Sequence, residues 1–360
     1  MCVRLLRLTS GIVKDGAGII LRSPRDETCV RTAVRTSIVV ITLVIVIGVL
    51  GIVSWRWVDV WWTQRALAAH FESRKPYAAR LIEEIGVLPD ELRESSGVAI
   101  SRTQPGVLWS HNDSGDGPNL YAVDMSGKLL AQFKVANALA RDWEDISRGG
   151  CPPEMAEAAS QQKSECLYIA DTGDNDQVRP QVTIYIVIEP QVSGAGAQPP
   201  LAPARTFHYR YPDKPTDAEA LAVLPNGDLT IVSKGRNGTI DFFGISAATV
   251  AKAIASGETV VAEYVGNTGI QPEPKTGQLV TSAALAPDGK TLAVRTYYEV
   301  YFFELVNEGG KTRWRDLQRP CSLGDAEPQG EGIDFLDANT LILTSERSRG
   351  RPGTIHRVQC

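Results

Sequence analysis

Five oxygen-bearing side chains, far apart along the chain, share one local pattern: Ser96, Glu144, Glu219, Ser282 and Glu331. In each case an apolar residue stands two positions later (Val98, Ile146, Leu221, Ala284, Ile333), as in a strand with one buried face. Three carboxylates and two hydroxyls gathered in a narrow space repel and lose hydration unless protons or a cation neutralise them. A donor set of oxygens without His or Cys suits a hard ion with about six to eight ligands, Ca2+ ahead of Mg2+ or zinc. The plainer use of such residues, accepting hydrogen bonds from strand-start amides, fits the serines better than three glutamates in register.

Short strands and tight turns must position this set. Beyond residue 79 the chain alternates apolar and polar residues between Gly, Asn-Gly and Asp-Gly turns, the spacing of an all-β fold. Each of the five segments leads to a second strand (VLWSHND, CLYIADTGDN, DLTIVSK, TLAVRTYY, TLILTSE) and a third (NLYAVDM, VTIYIVIE, TIDFFGI, EVYFFEL, TIHRV). A fourth is visible in four repeats, as LLAQFKV, RTFHYRY, TVVAEYV and TRWRDLQ. The fifth lacks one, and Arg80–Leu88 is left over to supply it. The expectation is a five-bladed β-propeller over 80–360, its ring closed by mixing the two ends of the domain. Six blades stay open as an alternative, because Pro199-Pro200 marks an insertion.

First strands of a propeller line its axis, and second strands run back to the same mouth. That mouth should carry His111, Asn112 and Asp113, then Asp171 and Asp174, then Lys234 and Arg236, then Arg295 and Tyr297, then Glu346 and Arg347. The chemistry expected there is calcium-dependent hydrolysis of a phosphate ester or anhydride. Asp113 or Asp171 would act as general base; Lys234, Arg295 and Arg236 would hold phosphoryl oxygens, with His111, Asn112 and Asp174 beside the substrate. The alternative is a non-catalytic propeller that binds a ligand or protein and uses Ca2+ as a brace; an esterase or lactonase on the same ion is a third reading. No Gly-x-Ser-x-Gly elbow and no Gly-rich phosphate loop occurs.

The ordered set ESSGVA (94–99), WEDI (143–146), AEAL (218–221), TSAA (281–284) and GEGI (330–333) resembles the apyrase fold of soluble calcium-activated nucleotidases. The resemblance covers roughly 80–360 and implies an axial Ca2+ held by Ser96, Glu144, Glu219, Ser282 and Glu331, one per blade. The aromatic walls of that family's nucleotide pocket do not map onto this chain. SHNDSGDG (110–117) and ADTGDN (170–175) stand where family loops meet substrate, with a different composition.

The composition places the domain. The 360 residues carry 37 Lys+Arg against 42 Asp+Glu, a net charge of −5, which argues against nucleic acid as a partner. Residues 36–55 hold no charge and are rich in Ile, Val and Leu, long enough to cross a bilayer as a helix; with Arg56 they form the expected membrane span, 36–56. Arg35 and Arg56 bracket it, and Trp55, Trp57, Trp61 and Trp62 follow, an aromatic belt. The fifteen residues before Thr36 carry four Arg and the fifteen from Arg56 carry two, so 1–35 is read as a cytoplasmic tail, 57–79 as a juxtamembrane linker or helix, and the propeller as extracytoplasmic. Ala66-Leu67-Ala68 resembles a signal-peptidase site but lies too far from the apolar run. Cys151, Cys166, Cys321 and Cys360 follow the span and can form two bridges, Cys151–Cys166 and Cys321–Cys360, in an oxidising compartment.

Overall fold

A computed structural model describes Val39, residues 41–44, and residues 75–360 except 163–164, 194–200, 202, 274–276, 310 and 318. Two units divide the chain, 1–72 and 73–360. In the first, Val39 and residues 41–44 are helical and exposed; the rest of the expected tail and membrane span lies outside the described residues. Among the described residues no helix is long and apolar enough to cross a membrane.

The second unit is a ring of five antiparallel sheets. It opens with two short strands that serve other sheets, β1 (Tyr77–Ala78) and β2 (Leu81–Val87). Blade one is β3 (Ser95–Ile100), β4 (Val107–Asn112), β5 (Asn119–Asp124) and β6 (Leu129–Lys134). Blade two is β7 (Trp143–Gly149), β8 (Cys166–Asp171), β9 (Val182–Ile188) and β10 (Arg205–Arg210), with helix α1 (Pro153–Gln162) inserted after β7. Blade three is β11 (Ala218–Val223), β12 (Leu229–Ser233), β13 (Asp241–Ile245) and, after helix α2 (Ala247–Ser256), β15 (Glu263–Asn267); β14 (Val260–Val261) pairs in parallel with β10 of blade two. Blade four is β16 (Val280–Leu285), β17 (Thr291–Thr296), β18 (Glu299–Glu308), β19 (Lys311–Asp316) and β20 (Cys321–Ser322). Blade five is β21 (Gln329–Phe335), β22 (Leu341–Glu346) and β23 (Thr354–Gln359), completed by β2.

The leftover strand closes the ring as expected: β2 runs antiparallel to β23 from Leu81 opposite Gln359 to Val87 opposite Thr354. Residues expected in the linker also join, since Tyr77 and Ala78 pair in parallel with Cys321 and Ser322. Both expected disulfides are present, Cys151–Cys166 and Cys321–Cys360. The second ties blade four to the last residue of blade five, beside the seam where the ends meet.

Two fourth strands depart from the expected pattern. TVVAEYV splits at buried Ala262, giving β14 to blade two and β15 to blade three. TRWRDLQ forms β19, but it pairs only with the outer half of the ten-residue β18; β20 takes the place beside the inner half. Blade two therefore widens to five strands and no sixth blade appears among the described residues.

Inner strands such as β3, β4, β8 and β11 are buried along their whole length, because each blade is sandwiched between two others. An apolar layer fills every interface: Trp109 and Phe133 against Trp143 and Tyr185, Tyr168 and Phe207 against Leu221 and Phe243, and Phe242 against Leu292 and Phe303. Leu323 packs with Phe335 and Leu343 between blades four and five, and Ile342 with Leu108 and Tyr121 across the seam. The turns follow local chemistry. Asn226 and Asp288 accept backbone N–H groups ahead of β12 and β17, and Gly227 and Gly289 take the positive φ their turns require (84° and 68°).

Candidate metal and catalytic site

Every first strand carries a β-bulge near its start. The pairing register with the second strand skips one residue between Ser95 and Gly97, Trp143 and Asp145, Ala218 and Ala220, Val280 and Ser282, and Gly330 and Gly332. The skipped residues are Ser96, Glu144, Glu219, Thr281 and Glu331. A bulge frees a side chain from the pleat and re-aims it, which explains how one position per blade can serve the axial mouth.

Four of the five expected ligands stand at this position; the fourth blade is offset by one. Thr281, not Ser282, occupies the equivalent place, and its Oγ1 donates to the Glu331 carbonyl (3.0 Å) much as Ser96 Oγ donates to the Glu144 carbonyl (2.8 Å). Ser282 lies one layer deeper and donates to Asp145 Oδ1 (2.9 Å).

Two overlapping carboxylate triads stand at the mouth. Asp113, Asp142 and Glu144 each offer an oxygen, all within 4.8 Å of one another, and so do Glu144, Asp217 and Glu219. Asp142 and Asp217 hold the same place in neighbouring blades, two residues ahead of the bulged glutamate in Asp142-Trp143-Glu144 and Asp217-Ala218-Glu219. This repeated acidic-x-acidic pattern was the unused signal in the sequence. Glu331 and Glu346 add further negative charge; burial raises both, with Glu219 and Glu346 adding to the first and Asp113 and Glu94 to the second.

Burial comes first in every resulting shift. It lifts the Asp113 carboxyl to about 7, with help from Asp142 and Glu219. Glu219 is likewise pushed to about 7 by burial, against the pull of Lys234. Glu144 and Glu331 are raised well above the usual carboxylate range by burial and then by neighbouring acids. Two cations answer them: Lys234 Nζ bonds Glu219, and Arg236 Nε donates to Asp217 Oδ2 (2.8 Å). Burial works against the Lys234 ammonium, but Glu219 and Glu144 hold its pKa above the ordinary lysine value. The oxygen Oδ1 of Asp113 is buried without a hydrogen-bond partner among the described residues. Gly173 allows a loop to pass over this cluster, since a Cβ there would lie 2.1 Å from Glu144 Oε1.

The side chains of the other expected site residues are committed elsewhere, though the Asp174 amide donates to Asp217 Oδ1 of the cluster (2.8 Å). Asp171 is buried in a pair with Arg179 (2.8 Å). Asp174 accepts from the amides of Val178 and Arg179 (2.9 and 2.8 Å) and shapes its own loop. Asn112 accepts from Glu94 N (3.0 Å) and donates to Glu91 O and Asp116 Oδ2. His111 is fully buried, with Nδ1 3.0 Å from Asn112 O and its ring edge-on to Trp143. Arg295 is also fully buried; it donates to the carbonyls of Gly332 (2.6 Å) and Thr344 (3.1 Å) and bonds Glu327, stitching blade four to blade five. A long polar side chain at a strand end looks the same in sequence whether it faces the mouth or the next blade. Here Arg295 and His111 turn into the blade interfaces.

No protein-family model matches the chain, and no curated protein matches it. Solved structures with a similar fold include the PQQ-bound form of an aldose sugar dehydrogenase from Streptomyces coelicolor, at 12% identity and a TM-score of 0.43, covering 79% of this chain and 99% of that one. The apo form of a soluble aldose sugar dehydrogenase from Escherichia coli has 10% identity and a TM-score of 0.43, covering 78% and 99%. A luciferin-regenerating enzyme has 12% identity and a TM-score of 0.41, covering 78% and 95%. Similarity at this level says nothing of substrate or cofactor, and it does not reach the nucleotidase resemblance.

Proposed function

We propose that this chain is a membrane-anchored, extracytoplasmic propeller that binds Ca2+ at its acidic mouth and hydrolyses phosphate esters or anhydrides. The observation that carries the metal reading is the pair of carboxylate triads sharing Glu144. Hard oxygen donors from Asp142, Glu144, Asp217 and Glu219, with Glu331 close by, fit a cation with many oxygen ligands and leave Asp113 beside it. A bound Ca2+ would supply charge neutralisation at a phosphoryl group and a more acidic water. Both disulfides and the arginine bias across 36–56 support an exterior location.

Asp113 is the base that fits. Its Oδ1, without a hydrogen-bond partner among the described residues, suits it to take the proton of a water whose oxygen forms the new bond to phosphorus as the leaving oxygen departs. Lys234 is the cation best placed to hold a phosphoryl oxygen; Arg295, His111 and Asp171, committed elsewhere, drop out of the mechanism. A small phosphorylated molecule is the partner this implies.

One observation favours a second reading. Lys234 already serves as a counter-ion to Glu219, as it would in a non-catalytic ligand-binding propeller that uses Ca2+ only as a brace. Calcium titration of the full-length protein by calorimetry, and phosphate release from ADP, GDP and UDP with and without chelator, separate the two. Saturable Ca2+ binding with chelator-sensitive release, both lost in Glu144→Gln, is the expected result. Binding without release leaves the brace; no binding overturns the metal site.

A further inference from the structure

The axis has a second mouth. A cavity of about 420 Å3 opens at the far ends of the first strands, within the size range of small-molecule sites, about 300–1,000 Å3. Val98, Ile146, Ala283 and Ile333, one from each of four blades, form its apolar floor. The acidic cluster lies beyond that floor, on the other side of Asp145. That carboxylate crosses the axis from blade two, accepting from Leu221 N (2.8 Å) in blade three and from Ser282 Oγ (2.9 Å) and Ala283 N (3.3 Å) in blade four. The two mouths are therefore separate chemical environments.

Arg148 projects into this second cavity with its hydrogen bonding incomplete. Its guanidinium stands 3.7 Å from Asp334 and 3.8 Å from Glu165, beyond hydrogen-bond reach. Its Nε is buried with no partner among the described residues. The amides of Ile100 and Phe335, which donate to Asp334 at 2.7 Å each, hold that carboxylate at this distance. Arg102 sits exposed at the rim of the same cavity. Burial and the neighbouring Arg148 charge lower its pKa, while Asp334 and Glu165, which line the same cavity, raise it, so the two guanidiniums face one volume with a carboxylate beside each approach. A buried N–H donor left unmade is costly, and an oxyanion offers two acceptors in the geometry a guanidinium fork favours.

We propose that this second mouth binds a small organic oxyanion, a carboxylate or phosphate monoester with a compact aliphatic tail. Its anionic head lies between Arg148 and Arg102 and its tail on the floor of Val98, Ile146, Ala283 and Ile333. The site does not depend on the acidic mouth or on any activity there.

The test titrates full-length protein by calorimetry with isocaproate, with isobutyl phosphate, and with neutral isocaproamide. Saturable binding of either oxyanion but not of the amide is expected, and the tighter of the two identifies the head group. Arg148→Met should weaken binding roughly tenfold or more, the loss of a charge-assisted pair, and Arg102→Met should weaken it by a smaller factor. Since Arg102 lies at the rim, its variant keeps the test decisive if Arg148→Met unfolds. Glu144→Gln should leave oxyanion affinity unchanged. Failure of both oxyanions to saturate, equal binding of the amide, undiminished binding in both arginine variants, or loss of binding in Glu144→Gln would each overturn the proposal.

Discussion

Replacing Asp145 by Asn tests whether one carboxylate ties the ring across its axis. Both oxygens are fully committed: Oδ1 accepts from Ile146 N (2.9 Å) and Ser282 Oγ, Oδ2 from Leu221 N and Ala283 N. All four partners are donors as placed, and the site is completely buried. An asparagine keeps one acceptor oxygen. Its amide nitrogen is best turned toward Ser282, whose hydroxyl can rotate to accept, which leaves Ile146 N facing a donor. One buried amide without a partner costs about 1–3 kcal/mol, and the surviving bonds lose the strength a charged acceptor lends them. The sum is about 3 kcal/mol, a fall in Tm of about 5 °C for a domain of this size. Scanning calorimetry reads it, with Asp124→Asn as a control, because Asp124 makes a similar number of bonds in an exposed turn. If Asp145→Asn melts within a degree or two of wild type, the carboxylate is not the tie and the axial argument fails.

The offset in blade four separates two hydroxyls. Thr281→Val should weaken Ca2+ binding while Ser282→Ala leaves it within about twofold and lowers stability by about 1 kcal/mol, the worth of the lost bond to Asp145; calcium titration and melting of both variants check this, and the reverse pattern would restore Ser282 to the ring. His111 supplies a pH dependence. Burial lowers its pKa from 6.5 to about 4, and its Nε2 has no partner among the described residues, so the folded protein holds it neutral. The unfolded chain takes up the proton first as pH falls, so stability is lost between pH 6.5 and about 4, by up to about 3 kcal/mol. His111→Phe keeps the edge contact with Trp143 and should remove that loss. The difference in unfolding free energy between variant and wild type must therefore grow in the variant's favour as pH falls across this window; a constant difference would show that His111 does not titrate there.

Much of the ring was legible because its determinants are local or repeated. Alternating residues marked the inner strands, and Arg80–Leu88 had no blade of its own, so it had to pair with the unit lacking a strand. Of the two bridges, Cys151–Cys166 closes a local loop and Cys321–Cys360 stands beside the seam of the closed ring. What escaped was phase. In Thr281-Ser282-Ala283-Ala284 two hydroxyls precede two alanines, and a period-two pattern fits either frame equally well. Only the pairing of Val280 with Thr296 and Ser282 with Arg295 sets it. The same limit explains Arg295. A residue at a strand end is polar whether it meets solvent or a carbonyl of the next blade, and the decision rests on Gly330, where a Cβ would collide with the guanidinium at 1.7 Å. Asp142 and Asp217 were visible as a repeated spacing, but their value depends on the bulge that turns each following glutamate toward them.

The layers along the axis give these details a common cause. At the level below the bulges stand Gly97, Asp145, Ala220, Ser282 and Gly332, four small residues around one carboxylate. A Cβ on Gly97 would come within 2.8 Å of Asp145 Oδ1, and one on Gly332 within 2.8 Å of Val98 N. Small residues let the strands close in until Asp145 can reach two other blades. Above it, carboxylates crowd one mouth and their pKa values rise; beneath it, two arginines share the other with incomplete bonding. A rigid middle layer thus keeps the two mouths apart: one holds more carboxylates than Lys234 and Arg236 answer, the other keeps an Arg148 Nε without a hydrogen bond, and a divalent cation at one end and an oxyanion at the other would meet those needs.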